Sequence, residues 1–250
     1  IELALIKLYK VTGDERHLKQ ASFFVDERGQ MPSYFDDEAR RRGEEPGDYI
    51  FETYAYSQAH KPVREQTEVE GHAVRATYLF SAMADLAFET GDDTLRNALE
   101  TLFGHLTSRL LYVTGGIGSS KDNEGFTRAY DLPNETAYAE TCASIALGFW
   151  THRMAQTVLD ARYTDILELV AFNGALSGIG LDGQSYFYEN PLESHGQHRR
   201  WKWHYCPCCP TNIARFIASI GSYHYTAKDN ALAVHLYSDN SVALALGGTD

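Results

Sequence analysis

Apolar residues recur with helical spacing through the first two thirds of the chain. Residues 2–10 predict a helix that stops near Gly13, and Asp14 is the predicted N-cap of a second helix that ends near Arg28. The same spacing predicts further helices over 67–90, 92–109, 141–157, 160–174 and 211–226. Segment 29–66 contains proline, glycine and many charges and is predicted to be loop, and segment 112–133 is rich in glycine and polar residues.

Alternating, strand-like patterns appear late in the chain. Residues 184–189 alternate after the turn Asp182-Gly183, and residues 231–237 and 241–246 predict two strands joined by Asp239-Asn240. Successive helices with short loops favour paired antiparallel helices, arranged as a bundle or as a toroid of helical hairpins. We therefore predict a mainly α domain over residues 1–228 and the beginning of a β domain over 229–250.

The composition of the chain argues against some classes of binding partner. The chain has 250 residues, of which 44% are hydrophobic and 22% charged, so it can form a sizeable core. Its net charge of -12 argues against binding to nucleic acid or to an anionic membrane surface. No stretch is apolar for long enough to span a bilayer. Because the chain opens at Ile1 inside an amphipathic pattern, we expect a segment of a longer protein.

Four cysteines carry the most informative chemistry. Three lie in Tyr205-Cys206-Pro207-Cys208-Cys209-Pro210 and the fourth is Cys142, in Glu140-Thr141-Cys142. Four are too few for a disulfide scaffold, and thiols crowded in this way are best explained by a soft cation, with zinc first. Buried inert cysteines and a redox thiol pair are the open alternatives. Reduced thiols favour a cytoplasmic location.

Local structure sharpens the metal hypothesis. Glu140 and Cys142 would point to opposite sides of a helix, so they can share a metal only if the backbone there is extended or just entering a helix. Thr141 fits the N-cap of one helix, and Cys208-Cys209-Pro210 fits the first turn of another. Thiols at helix N-termini favour the thiolate form.

Several motifs together resemble a known family. They are Glu124, the Glu140-Thr141-Cys142 triplet, the Cys206 to Asn212 run, Gln58-Ala59-His60-Lys61-Pro62-Val63, and Gly71-His72-Ala73-Val74-Arg75-Ala76. This combination resembles glycoside hydrolase family 127, the β-L-arabinofuranosidases, over residues 1 to about 245. The resemblance implies a partial (α/α)6-barrel followed by the start of a β-sandwich, with further barrel helices before Ile1.

The resemblance also implies roles for individual residues. Zn²⁺ would be held by Glu140, Cys142, Cys208 and Cys209. Cys208 would be the nucleophile and Glu124 the general acid/base of a retaining hydrolase that releases L-arabinofuranose from β-L-arabinofuranosides. His72 and Tyr188 would contact the sugar, and Cys206 would be a structural thiol. The partner is then a small carbohydrate, and a homodimer is an alternative assembly.

Taken singly, these residues have simpler interpretations. Glu124 sits in a charged turn, His72 resembles a core histidine, and Tyr188 resembles a sheet-packing residue. The competing functions are a structural zinc site in a non-catalytic sugar-binding or scaffold protein, a redox dithiol protein, and a glycosidase for another β-furanoside. The position of Glu124 relative to Cys208 discriminates between the enzyme and the scaffold.

Overall fold

The protein is mainly helical, as described by a computed structural model over residues 1–47, 53–228 and 230–244. Its α-helices are α1 (Glu2–Thr12), α2 (Glu15–Glu27), α3 (Tyr34–Arg42), α4 (Ala73–Thr90), α5 (Asp93–Arg109), α6 (Thr141–Thr157), α7 (Ala161–Leu169) and α8 (Cys208–Ser219). A π-helical segment, Val170–Ala175, continues α7. Two short strands, β1 (Tyr225–Lys228) and β2 (Ala231–Val234), pair antiparallel.

Helices that follow one another in the chain pack in pairs: α1 with α2, α4 with α5, and α6 with α7. Short polar caps set these connections. The α4–α5 link consists of Gly91, at φ 68°, and Asp92, whose carboxylate accepts hydrogen bonds from the first turn of α5. Asp14 caps α2 in the same way, as predicted. The hairpin arrangement of helices is therefore built from local signals that the sequence displays.

The core is centred on α4 and α6, the most extensively packed pair of helices. Phe80 and Trp150 pack against each other across this interface, with ring centroids 4.9 Å apart and ring planes inclined at 50°. A salt bridge of 2.8 Å between the largely buried Arg153 and Asp85 side chains joins the same two helices. Almost every residue of α6 is buried, which is typical of a central helix enclosed on all sides. The N-terminus of α6 is therefore rigidly held.

The structure corrects two predictions in the first half of the chain. Segment 29–66 is not all loop, because it contains α3, whose acidic first turn and three terminal arginines match the helix dipole. The long helix begins at Ala73 rather than at residue 67. Gly71 lies at φ 76° and a Cβ there would sit 1.9 Å from the Ala55 carbonyl oxygen, so the chain cannot be helical at that point.

The late elements also differ from prediction. The helix predicted over 211–226 begins at Cys208 and ends at Ser219, because the glycine and aromatic residues that follow are poor helix formers. Ala231–Val234 pairs with Tyr225–Lys228, while 241–244 form no strand and 245–246 lie outside the described residues. The predicted hairpin turn at Asp239-Asn240 is therefore wrong. The partner of β2 is β1, which precedes it by two residues in the sequence.

The strand predicted over 184–189 is reduced to single bridges from Tyr186 to Ile179 and to Trp201. The predicted domain boundary after residue 228 stays a prediction. Among the helices of the described residues, none combines the length and the apolar character needed to cross a bilayer.

Candidate functional site

Four predicted ligand side chains converge on one point. Glu140, Cys142, Cys208 and Cys209 each offer one atom to a group in which all atoms lie within 4.8 Å of one another. The Cys142 and Cys209 sulfurs are 3.6 Å apart, and the Cys208 and Cys209 sulfurs are 3.8 Å apart. The Cys208 sulfur lies 3.5 Å from Glu140 Oε1. Residues separated by more than sixty positions in the chain thus form one cluster.

The backbone around Glu140 makes this convergence possible. Glu140 is extended, with φ −57° and ψ 136°, and occupies the N-cap position of α6, so it can face the same side as Cys142. The preceding Ala139 adopts φ 40°, a strained conformation for a residue with a side chain. Thr141 was predicted to be the N-cap but is the first helical residue, and its hydroxyl donates instead to the Phe187 carbonyl at 2.8 Å.

The other two sulfurs come from the first turn of α8. Cys208 and Cys209 are its first two residues, and Pro210 follows at a position where a missing N–H is tolerated, as predicted. The partial positive charge of the helix N-terminus favours ionised sulfur there. Hydrogen bonds from the Cys142 and Cys209 thiols further lower the pKa of Cys208.

The cluster fits a divalent metal ion. A tetrahedral zinc ion with Zn–S bonds of about 2.3 Å would place its sulfur ligands about 3.8 Å apart. The observed separations of 3.6 and 3.8 Å match that spacing. Glu140, Cys142 and Cys209 are at most 3% exposed. Burial, with the nearby Cys208 sulfur, raises the pKa of Glu140 to about 8. Such a concentration of buried acidic groups is what a bound cation would relieve.

Tyr188 lies directly beside the cluster. Its hydroxyl is 3.4 Å from the Cys208 sulfur. The Thr141 N–H donates to the Tyr188 carbonyl at 3.0 Å, and the His204 ring packs on the Tyr188 ring at 4.3 Å between centroids. The tyrosine is therefore fixed by α6 on one side and by the loop before the cysteines on the other.

Glu124 and His72 face each other at the edge of the same cluster. His72 Nε2 is 3.4 Å from Glu124 Oε2, and both side chains have atoms within 4.8 Å of a Glu140 oxygen. The Tyr138 hydroxyl donates to Glu124 Oε1 at 2.6 Å. Glu124 does lie in a turn, but its carboxylate is directed inward toward these two partners. All seven predicted site residues are thus brought together.

Close backbone contact holds the turn of Glu124 against the start of α4. The Ala73 N–H donates to the Glu124 carbonyl at 3.1 Å, and the Phe126 N–H donates to the Gly71 carbonyl at 2.9 Å. A Cβ on Gly125 would lie 1.9 Å from that Gly71 oxygen, so only glycine fits there. Glu124 itself adopts φ 49°. A residue with a side chain rarely adopts this left-handed conformation, and the hydrogen bonds of the turn hold it there.

The His72, Glu124 and Glu140 group is better explained as a hydrogen-bonded set than as a second metal site. His72 is the N-cap of α4, and its Nδ1 accepts from the Arg75 N–H at 3.4 Å. The neutral ring therefore carries its proton on Nε2, where it donates to Glu124. Burial lowers the pKa of His72 and favours this neutral form.

Two contacting residues were not predicted. Tyr138 holds Glu124, and the Asn212 side-chain amide donates to the Cys142 sulfur at 3.0 Å. Tyr138 lies two residues before Glu140 and Asn212 one helical turn after Cys208, but nothing in their residue types marked them as part of the site. Cys206, expected to be a structural thiol, is solvent-exposed and lies outside the sulfur cluster.

Known proteins support the family resemblance. Residues 1–222 match the family model described as Beta-L-arabinofuranosidase, GH127 catalytic domain. The chain is 39% identical over 267 residues to a non-reducing end β-L-arabinofuranosidase of Bifidobacterium longum subsp. longum, a match that covers 100% of this chain and 40% of the relative.

The fold is similar to solved structures of the same family. The crystal structure of Ara127N-Se, a GH127 β-L-arabinofuranosidase from Geobacillus stearothermophilus T6, superposes with a TM-score of 0.91 at 52% identity, over 95% of this chain and 39% of that one. The GH127 β-arabinofuranosidase BT3674 gives a TM-score of 0.84 at 44% identity, over 94% of this chain and 34% of that one. The chain thus spans roughly two fifths or less of the length of these relatives. From its sequence match, its fold and its clustered side chains, the chain belongs to glycoside hydrolase family 127.

Proposed function

We propose that this chain is the catalytic segment of a retaining glycoside hydrolase that releases L-arabinofuranose from β-L-arabinofuranosides. The observation that carries the proposal is that an ionisable sulfur, Cys208, and a carboxylate, Glu124, each lie within 4.8 Å of a Glu140 oxygen, and that Glu124 is held by two hydrogen-bonding partners. A retaining glycosidase needs a nucleophile and a proton donor at one anomeric carbon. The sugar is inferred from what the relatives' names state.

The proposed architecture is part of an (α/α)6-barrel with the beginning of a β-sandwich after residue 228. The arrangement of three helices supports the barrel. His72, Glu140 and Pro207 are the N-cap residues of α4, α6 and α8, and the site draws these three helix starts together. Helices that begin at one end and alternate with paired outer helices are what a toroid of helical hairpins requires.

Glu140, Cys142, Cys208 and Cys209 are the residues that would hold zinc. When bound, zinc supplies the positive charge that keeps thiols ionised near neutral pH. Glu140 contributes the one oxygen donor, and the three sulfurs make the site formally anionic. An anionic site favours the positive charge that develops on the sugar ring in the transition state.

In the first step the Cys208 sulfur attacks the anomeric carbon and forms a carbon–sulfur bond while the glycosidic carbon–oxygen bond breaks. Glu124 gives its proton to the departing oxygen. In the second step Glu124 takes a proton from water, the water oxygen bonds to the anomeric carbon, and the Cys208 sulfur leaves. Two displacements at one carbon return the sugar with its original configuration.

The surrounding residues orient these two groups. Tyr138 and His72 each contact one oxygen of Glu124, so the carboxylate is held in one direction before substrate arrives. The Tyr188 hydroxyl fixes the approach of the Cys208 sulfur. We propose in addition that His72 and Tyr188 contact the hydroxyl groups of the sugar.

A structural zinc site in a non-catalytic sugar-binding protein is the second candidate. Its supporting observation is the complete set of four donors, since catalytic zinc usually keeps an open position. Such a protein has no need of a carboxylate held beside the sulfurs by a tyrosine and a histidine. The Glu124 arrangement therefore favours the enzyme.

The test compares the full-length wild-type protein with Cys208→Ser and Glu124→Gln variants. Hydrolysis of an aryl β-L-arabinofuranoside and zinc content are measured on the same samples. We expect about one zinc per wild-type chain and a loss of at least about 10³-fold in kcat for Cys208→Ser. Near-normal turnover of Cys208→Ser with zinc bound would reject the nucleophile. A zinc-loaded wild type that releases no arabinofuranose would reject the activity, and a reduced wild type without zinc would favour a redox dithiol.

A further inference from the structure

Asn212 makes an unusual contact with the sulfur cluster. Its Nδ2 donates to the Cys142 sulfur at 3.0 Å, although the two residues belong to different helices, α8 and α6. Cys142 is 1% exposed, so the sulfur end of this hydrogen bond is shielded from solvent, while Asn212 itself is half-buried. A hydrogen bond from an amide to an ionised sulfur is stronger than one to a thiol, because the acceptor carries the charge.

The other end of the amide is also held. Asn212 Oδ1 accepts from Arg215 Nη2 at 2.8 Å and lies 3.2 Å from the Tyr78 hydroxyl. The Arg215 guanidinium in turn packs over the Phe149 ring at 4.5 Å from its centroid. With donors at the oxygen, the amide has one favourable orientation, which directs its nitrogen to the Cys142 sulfur. Arg215, Asn212 and Cys142 thus form a chain of hydrogen bonds in one direction, which polarises each bond.

The three sulfurs of the cluster therefore differ in their surroundings. Cys142 is fully buried and accepts the Asn212 amide, whereas Cys208 is half-buried beside the Tyr188 hydroxyl. An amide donor withdraws charge from the sulfur it contacts and fixes its direction. The Asn212 amide lies 3.0 Å from the Cys142 sulfur, closer than the Tyr188 hydroxyl lies to the Cys208 sulfur at 3.4 Å, so of these two sulfurs Cys142 is the more firmly held and the less nucleophilic.

We propose that Asn212 is a positioning residue that holds the Cys142 sulfur as a permanent metal ligand, and that Arg215 fixes the orientation of Asn212. This inference rests on the metal site in the proposed function. It divides the cluster into an anchored sulfur, Cys142, and a reactive sulfur, Cys208. The division follows from which side chains contact each sulfur.

The test uses Asn212→Leu and Asn212→Asp variants of the full-length protein. Zinc affinity is measured by competition with a chromophoric chelator. Residues that orient a metal ligand typically contribute about 10–100-fold to affinity, so we expect a loss of that size for Asn212→Leu. Asn212→Asp should lose more, because it places a carboxylate against an anionic sulfur. Asn97→Asp, an exposed asparagine on α5, is the matched control and should bind zinc as the wild type does.

A second readout separates this role from a merely structural one. In cobalt-substituted protein, loss of the amide donor should shift the sulfur-to-cobalt charge-transfer band to lower energy even at full metal loading. Arg215→Met keeps the packing on Phe149 and should give a smaller shift and a smaller affinity loss, and it decides the question if the Asn212 variants do not fold. A wild type that binds zinc, with affinity and band unchanged in these variants, overturns the inference. A wild type that binds no zinc overturns the metal site itself.

Discussion

The Tyr138 hydroxyl donates a 2.6 Å hydrogen bond to the Glu124 carboxylate, and Tyr138 lies two residues before the cluster residue Glu140. One short segment, Tyr138 to Glu140, therefore contributes to the sulfur cluster and contacts the proposed acid/base. A shift of this segment would change the distance between the two halves of the site.

Replacing Tyr138 with phenylalanine should lower kcat by about 10–100-fold. The change removes a hydrogen bond to a carboxylate, which is worth roughly 1.5–3 kcal/mol. KM should change less, because the substrate-contacting residues remain. Tyr112→Phe is the matched control, since its buried hydroxyl donates to the Pro133 carbonyl away from Glu124. Equal kcat values for the Tyr138 variant and the wild type would show that Glu124 needs no such support.

Replacing Cys142 with alanine should abolish stoichiometric zinc, with affinity reduced by at least about 100-fold. Cys206→Ala removes an exposed thiol that is not among the four candidate ligands and should leave the zinc content unchanged. Zinc content by elemental analysis after dialysis against a weak chelator checks both variants. If both retained full zinc, the ligand assignment would be wrong.

Gly125→Ala should separate metal binding from catalysis. The new methyl group would collide with the Gly71 carbonyl oxygen and displace the turn that carries Glu124. We expect a loss of about 1–3 kcal/mol in the free energy of unfolding and a large loss of activity, with zinc still bound. Gly104→Ala is the control, because a Cβ on that exposed residue of α5 meets nothing within 4 Å. It should stabilise by about 0.5–1 kcal/mol.

His152 should make the fold less stable in mild acid. It is buried on α6 against Tyr223, with ring centroids 4.4 Å apart, and burial lowers its pKa to about 4. The unfolded chain titrates near 6.5, so it binds more protons than the folded chain between pH 6.5 and 4. The free energy of unfolding therefore falls as pH drops through that window, by on the order of 3 kcal/mol from this residue.

His152→Phe keeps a ring against Tyr223 and removes the titration. Urea unfolding at pH 7, 5.5 and 4.5 should show a flatter pH dependence for this variant than for the wild type. His195→Gln, at an exposed histidine, should follow the wild-type curve. Parallel curves for His152→Phe and the wild type would mean that the pKa of His152 does not differ between the folded and the unfolded chain.

Much of the site could be predicted because its chemistry lies in rare residues at unusual spacings. The crowding of Cys208 and Cys209 indicates a cation, and the Glu140-Thr141-Cys142 triplet indicates an extended backbone at a helix start. The structure confirms that these side chains meet. Tyr138 and Asn212 are common residue types whose roles depend on contacts between distant segments, so the sequence gives them no comparable signal.

The fold, like the site, could be predicted from the sequence only in part. Local caps such as Gly91 and Asp92 set helix ends that the sequence displays. The start of α4 is set instead by the close approach of Gly71 to Ala55. These residues are sixteen positions apart in the chain, and the spacing of apolar residues does not reveal such a contact. The pairing of β1 with β2 likewise depends on where α8 ends, and the apolar pattern predicts that this helix continues beyond its actual end at Ser219.

Because the chemistry lies at the starts of α4, α6 and α8, the opposite ends of these helices lie away from the site. α4 has 18 residues, so its last turn lies about 27 Å from His72. The Gly91-Asp92 connection is therefore a suitable place to graft a fluorescent reporter or an immobilisation tag. An attachment there would leave the approach to the sulfur cluster unobstructed.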